Sequence, residues 1–214
     1  MSFLSDLENY SQSKLQHVTT RVTNSLGEIN FESKSENGTF EVCGRSNDSN
    51  VSFMELESSP DEKLHYVIDR LYIGSQDSAV NLPALNECKI THILNVATVI
   101  ENTFPEQYKY LNIQLLDLPQ TNIRKVFSQT NEFIKQAIAN NGCVLVHCNA
   151  GISRSASIVL AYLLGIHYMK YEDAYQLLKT ARSMIRPNIG FVQQLKEYAA
   201  EIDHRNEQNV DSKM

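Results

Sequence analysis

Residues 143–166 constrain this chain more than any other stretch. Cys143-Val144-Leu145-Val146 is apolar throughout, as a central strand covered on both faces must be, and residues 156–166 form an apolar stretch long enough for a buried helix. Between them runs His147-Cys148-Asn149-Ala150-Gly151-Ile152-Ser153-Arg154-Ser155. A loop that joins a central strand directly to a helix start lies at the carboxyl edge of a sheet, where open α/β folds bind their ligands.

The surrounding pattern agrees with such a sheet. Residues 65–68, 71–73 and 91–97 read as strands, and residues 78–88 as a helix with Pro83 near its start. Residues 110–115 alternate with period two, which predicts a strand with one buried face. Ile123, Val126, Phe127, Ile134, Ala137 and Ile138 mark one face of a helix, with Asn122 placed to cap its start and Gly142 just beyond its end. Strand, helix and strand with short joints make a βαβ unit, so the strands at 110–115 and 143–146 run parallel with their carboxyl ends on one edge. Helices are expected at residues 155–167, 171–182 and 190–203. The fold class is α/β, a mostly parallel central sheet flanked by helices, with a helical C-terminal half.

Charge is unevenly placed. Residues 1–63 hold 5 Lys/Arg against 11 Asp/Glu, whereas residues 64–214 hold 14 of each, so the formal −6 of the chain belongs to the leader. Neither part has the basic stripe of a nucleic-acid or anionic-membrane binder, so no nucleic acid and no membrane are expected as partners. Met1-Ser2-Phe3-Leu4-Ser5-Asp6 lacks the basic and apolar regions of a secretory signal, and residues 156–166 fall short of the roughly 18 apolar residues of a membrane span. The expected location is the cytoplasm, with the nucleus left open. Cysteines at 43, 88, 143 and 148 show no Cys-X-X-Cys spacing and the six histidines are scattered, so neither a metal site nor a disulfide framework is expected.

In the leader, Ser5-Asp6-Leu7-Glu8 reads as a capping box, and Leu15, Val18 and Val22 continue at helical spacing, which predicts a short helix. Residues 24–60 carry eight Ser and five Asn, a composition that favours a linker. The competing local signal is Asn37-Gly38 between Ile29, Phe31, Phe40 and Val42, which predicts a hairpin.

Two side chains of the central loop suit chemistry on an anion. Backbone N–H groups at a turn before a helix converge on one point, and the helix dipole adds positive potential there. Cys148 in that field and near Arg154 is favoured as the nucleophilic thiolate. Arg154 can hold two phosphoryl oxygens with its planar fork, and Gly151 permits the turn that aims the N–H groups inward. Expulsion of an alkoxide or phenoxide needs a proton donor on the far side. Asp117, just past the neighbouring parallel strand, is the candidate, and it could then activate water against a phosphocysteine. In a chain with four cysteines, Cys-X5-Arg alone arises by chance about one time in five. Adding His before, Gly third after and Ser at the end lowers this to the order of one in ten thousand.

His147-Cys148-X5-Arg154-Ser155 with Asp117 about thirty residues upstream resembles the cysteine-dependent protein tyrosine phosphatase superfamily, specifically the atypical small members of its dual-specificity branch. Residues 71–75, Thr91-His92-Ile93-Leu94-Asn95-Val96, Asn122-Ile123 and Arg186-Pro187-Asn188 followed by Gly190-Phe191 carry the same resemblance. It covers about residues 64–204, which would be the catalytic domain, leaving 1–63 as an acidic, mostly flexible extension and 205–214 as a flexible tail. By resemblance Cys148 is the nucleophile, Arg154 the phosphate clamp and Asp117 the general acid. Ser155 would help the sulfur leave, and His147 would help keep it ionised. Asn149, Ala150, Gly151, Ile152 and Ser153 would line the phosphate site with Arg154, while Asn95 and Asn188 brace the loop. No cofactor is implied. Implied partners are phosphoproteins carrying phosphotyrosine or phosphoserine/threonine, kinases of MAP kinase cascades among them. A phosphoinositide or RNA 5′-phosphatase and a phosphoprotein-binding scaffold stand as alternatives; neutral Asn149, Ala150, Ile152 and Ser153 argue against the more anionic substrates.

Overall fold

The computed structural model describes residues 19–23, 29–34, 40–45 and 60–211 and divides the chain into two units, Met1–Glu57 and Ser58–Met214. In the first, strands β1 (Thr19–Thr23), β2 (Ile29–Lys34) and β3 (Phe40–Arg45) form an antiparallel sheet in that order. Val22, expected on a helix, lies in β1. Four of the five residues of Thr-Thr-Arg-Val-Thr are β-branched, and such side chains favour a pleated strand over a helix. Residues 29–34 and 40–45, expected within a linker, are strands that pair antiparallel with Lys34 opposite Phe40, as the hairpin signal requires. The Ser5–Glu8 segment, Leu15, Val18 and Asn37-Gly38 lie outside the described residues.

The second unit is built on a five-stranded sheet of order β4-β5-β8-β6-β7. Its strands are β4 (His65–Ile68), β5 (Leu71–Gly74), β6 (His92–Asn95), β7 (Lys109–Asn112) and β8 (Val144–His147). β8 is central, with β5 and β6 parallel on either side, β7 parallel to β6, and only β4 antiparallel. The strands before and after the long helix are therefore parallel, with β6 between them. Val144 and Val146 face the larger core and Leu145 the smaller one, so β8 is buried on both faces.

The helices are α1 (Gln76–Val80), α2 (Leu82–Glu87), α3 (Arg124–Ala139), α4 (Arg154–His167), α5 (Tyr171–Ala181) and α6 (Ile189–Asp211). The larger core joins one face of the sheet to α3, α4, α5 and α6, and the smaller core joins the other face to α1 and α2. α4 is apolar nearly all round because α3, α5 and α6 pack around it on the sheet. None of the helices among the described residues is long and apolar enough to cross a membrane.

Several boundaries differ from the sequence pattern. The single helix expected at 78–88 is two, because Asn81 leaves the helical conformation and its Oδ1 caps α2 by accepting from Ala84 N at 3.2 Å. Asn122 does not cap α3. The helix starts after Ile123, whose N–H donates to Gln194 Oε1 at 2.9 Å. β7 ends at Asn112 rather than 115, because β6 ends at Asn95, whose carbonyl takes the next N–H, that of Ile113, at 2.9 Å. α6 extends to Asp211, beyond the expected 203. Asp61, which the charge split counts with the leader, is tied into the second unit: its carbonyl accepts from Ser75 Oγ at 2.7 Å.

Candidate active site

Cys148 leaves β8 at the carboxyl edge, and four consecutive carbonyls of the loop that follows all have outward partners. Asn149 O accepts from Gln76 N at 2.8 Å and Ile152 O from Arg186 N at 2.9 Å. Ala150 O accepts from Arg182 Nη2 and Gly151 O from Arg182 Nε, both at 2.8 Å. Since each peptide C=O points opposite to the N–H of the next residue, the N–H groups of residues 150–153 are turned the other way, toward the loop interior. Gly151 makes the turn with φ +66°, and a Cβ there would lie 2.5 Å from Gly74 O.

Cys148 and Ser155 are buried, with Sγ and Oγ 3.3 Å apart. Arg154 is buried beside them. Its Nη1 donates to Leu115 O at 3.3 Å and Thr98 Oγ1 at 3.4 Å, and its Nη2 to Asn149 Oδ1 at 2.7 Å. Its Nε is a buried donor without a hydrogen-bond partner, 3.7 Å from Asp117 Oδ2. Asp117 is thereby brought to the same edge as Cys148. Asp117 Oδ1 accepts from Ser153 Oγ and Asn188 Nδ2, each at 2.7 Å, which leaves Oδ2 toward the arginine.

His147 is buried on the far side of the strand from Cys148, and its Nδ1 lies 3.3 Å from Cys148 O. A carbonyl only accepts, so this nitrogen carries the proton of the neutral ring. Burial pushes the His147 imidazole down to about 4. His147 therefore meets the loop as a neutral hydrogen-bond donor rather than as a positive charge beside the sulfur. Asn188 braces the loop as expected: its backbone N–H donates to Ser153 Oγ at 3.1 Å. Asn95 acts one step away, with its side chain bonding Ala97 N and Ile100 O and so holding the segment that presents Thr98 to Arg154. Cys143 is half-buried and packs with Cys88 and Tyr72 on the smaller core, whereas Cys148 belongs to the larger one.

Arg182 and Asp61 are additional members of the site. Arg182 is 1% exposed, lies behind the loop on the two carbonyls just described, and pairs with the Asp61 carboxylate. A signal was present in the sequence: Arg182 follows Ala174 and Leu178 at intervals of four, in line with the buried stripe of α5 and just past its end, where a buried charge needs a fixed partner. Gly190 supplies a close approach, since a Cβ there would lie 2.0 Å from Pro119 O in the loop that carries Asp117.

A mostly parallel sheet covered by helices on both faces, delivering a thiol into a ring of inward N–H groups with an arginine at the following helix start, is the protein tyrosine phosphatase fold. Residues 71–201 match the dual specificity phosphatase catalytic domain. The mouse dual specificity protein phosphatase 19 is 39% identical over 204 residues, which span 90% of this chain and 87% of that protein. The chain belongs to the dual specificity phosphatase family. The Dictyostelium discoideum MAP kinase phosphatase with leucine-rich repeats protein 2 is 38% identical over 136 residues, 64% of this chain but only 19% of that longer protein. The crystal structure of human tyrosine phosphatase-like serine/threonine/tyrosine-interacting protein is 40% identical, covers 64% of this chain and 95% of its own, and superposes with a TM-score of 0.62.

Two outcomes follow from this geometry. Arg182→Met leaves Ala150 O and Gly151 O without their donor and Asp61 without its counter-charge, so it should lower unfolding stability by about 3 kcal/mol, measured by urea denaturation. His147, held neutral in the fold, opposes protonation. Its contribution is intact above the unfolded value of 6.5 and is lost as pH falls from there toward about 4. Between pH 7 and pH 5 the wild type should lose about 2 kcal/mol more than His147→Asn, read from urea melts at the two pH values.

Proposed function

We propose that this protein phosphatase hydrolyses phosphotyrosine and phosphoserine/threonine in proteins through a phosphocysteine. The observation that carries the reading is the run of four outward carbonyls beside Cys148, which commits the opposing N–H groups to an anion. The Cys148 thiolate attacks phosphorus, and the bond to the substrate oxygen breaks. Asp117 gives its proton to the departing oxygen; Oδ2 is the suitable atom, because Oδ1 already accepts two hydrogen bonds. The Arg154 Nε, a buried donor that makes no hydrogen bond and only a 3.7 Å ion pair with Asp117, is available to the equatorial phosphoryl oxygens. In the second step the Asp117 carboxylate takes a proton from water as the water oxygen attacks phosphorus. The P–S bond breaks, and the Ser155 hydroxyl, 3.3 Å from the sulfur, stabilises the departing thiolate.

Kinases of MAP kinase cascades are proposed among the substrates, by analogy with the relative named for that activity. The second reading is a phosphoprotein-binding module, favoured by the likeness to a serine/threonine/tyrosine-interacting protein. Turnover separates the two. Wild type should hydrolyse p-nitrophenyl phosphate with inhibition by vanadate, and Cys148→Ser should fall to background. Asp117→Ala should lose about 100-fold or more on a phosphopeptide with a poor leaving group, and less on the nitrophenyl ester. A wild type no faster than Cys148→Ser sinks the enzyme reading. Full activity of Asp117→Ala on the phosphopeptide assigns the acid elsewhere.

A further inference from the structure

Among the described residues, eight large hydrophobic side chains are exposed, and four of them stand one residue away from the groups that form the site. Val99, 95% exposed, follows Thr98, whose hydroxyl accepts from Arg154 Nη1. Leu116 (55%) and Leu118 (43%) flank Asp117, and Leu116 also follows Leu115, whose carbonyl holds the same Nη1. Ile189, 75% exposed, follows Asn188, whose amide donates to Asp117. Three separate segments thus carry exposed apolar residues directly beside, in sequence, the groups of one polar constellation.

Val99 adds a second observation. It has φ +66°, a conformation that a β-branched residue adopts only at a cost. Asn95 holds the segment on either side through Ala97 N at 3.0 Å and Ile100 O at 2.9 Å, so the surrounding bonds impose this conformation on a side chain left almost wholly in water. Clustered exposed apolar groups mark contact surfaces.

We propose that Val99, Leu116, Leu118 and Ile189 form an apolar collar that binds apolar side chains next to the phosphorylated residue of a protein substrate. The proposal rests on the phosphatase reading above and narrows its substrate class to phosphorylated segments with hydrophobic neighbours. The collar residues adjoin the proposed phosphate site along the chain through Thr98, Leu115, Asp117 and Asn188, which bond within it, so they stand within a residue's reach of an occupant held by the loop. Residues 149–155 carry no Lys and no Arg besides Arg154, so the loop itself offers no second cation for a flanking acidic residue.

The test compares two phosphotyrosine peptides that differ only at the residues flanking the phosphotyrosine, Leu and Val in one and Ser in the other. Hydrolysis of p-nitrophenyl phosphate is measured alongside. Wild type should prefer the apolar peptide about tenfold or more in kcat/KM, chiefly through a lower KM. Val99→Ser and Ile189→Ser should each cut that ratio by a factor of about three to five, and the double variant should bring it to within twofold of unity, while Ile189→Leu should retain it. Equal kcat/KM for the two wild-type peptides, or an unchanged ratio in the double variant, would overturn the collar. Absence of turnover on p-nitrophenyl phosphate would instead overturn the phosphatase reading beneath it. Wild type is also sedimented with phosphatidylcholine vesicles containing a phosphatidylinositol phosphate. Binding that the double variant loses, with no peptide preference, assigns the collar to a lipid surface and rejects a protein substrate.

Discussion

The site depends first on the outward rotation of four successive peptide carbonyls. A peptide group cannot aim its N–H inward without aiming the preceding C=O outward, and a buried carbonyl without a donor costs about 1–3 kcal/mol. The fold meets that requirement with two backbone donors, Gln76 N and Arg186 N, and one arginine that serves two carbonyls. Arg182 is buried so deeply that it in turn needs Asp61, a residue from before the first strand of the sheet. A charge pair spanning much of the domain is therefore part of the loop, although neither member faces the interior of the loop.

The carboxylate is positioned by a different and lighter set of contacts. Asp117 lies on an exposed segment after β7, held by Ser153 from the Cys148 loop and Asn188 from the turn before α6. Asn188 also bonds the loop through Ser153 and starts α6 by accepting from Phe191 N at 3.0 Å. Gly190 lets that helix start approach the Pro119 backbone. The turn before α6 thus ties the Cys148 loop to the Asp117 segment, and a change in the helix start that it caps reaches both.

Legibility in the sequence follows the range of the interactions. The strand, loop and helix around Cys148 are readable because each is specified locally: an apolar run, a glycine at a positive φ, and an apolar helix. Asp117 is readable because parallel strands share a carboxyl edge, and this holds even though β6 intervenes between β7 and β8. The break at Asn81 is harder to read, since the apolar pattern runs across it and only the side-chain cap of α2 ends the first helix. Asp61 is unreadable as a partner of Arg182, because 121 residues separate them and composition places it with an acidic leader. The β1 segment shows the opposite failure, where a three-residue apolar spacing outweighed four β-branched residues that prefer a strand.

The distribution of charge bears on how the proposed phosphate loop would favour a phosphate monoester over a more highly charged ligand. The positive potential comes from Arg154, from the inward N–H groups and from a helix N-terminus equivalent to about half a charge. Arg182 adds little, because Asp61 neutralises it behind the loop. Against this stand the proposed thiolate and the incoming dianion, so the loop's own positive potential is matched by one phosphate. In the proposed reaction the proton on Asp117 then serves twice: it supplies the leaving group, and until transfer it removes a negative charge that would otherwise face the anion. The proposed specificity beyond the phosphate draws on uncharged contacts, from the exposed hydrophobic side chains of Val99, Leu116, Leu118 and Ile189 next to the site residues.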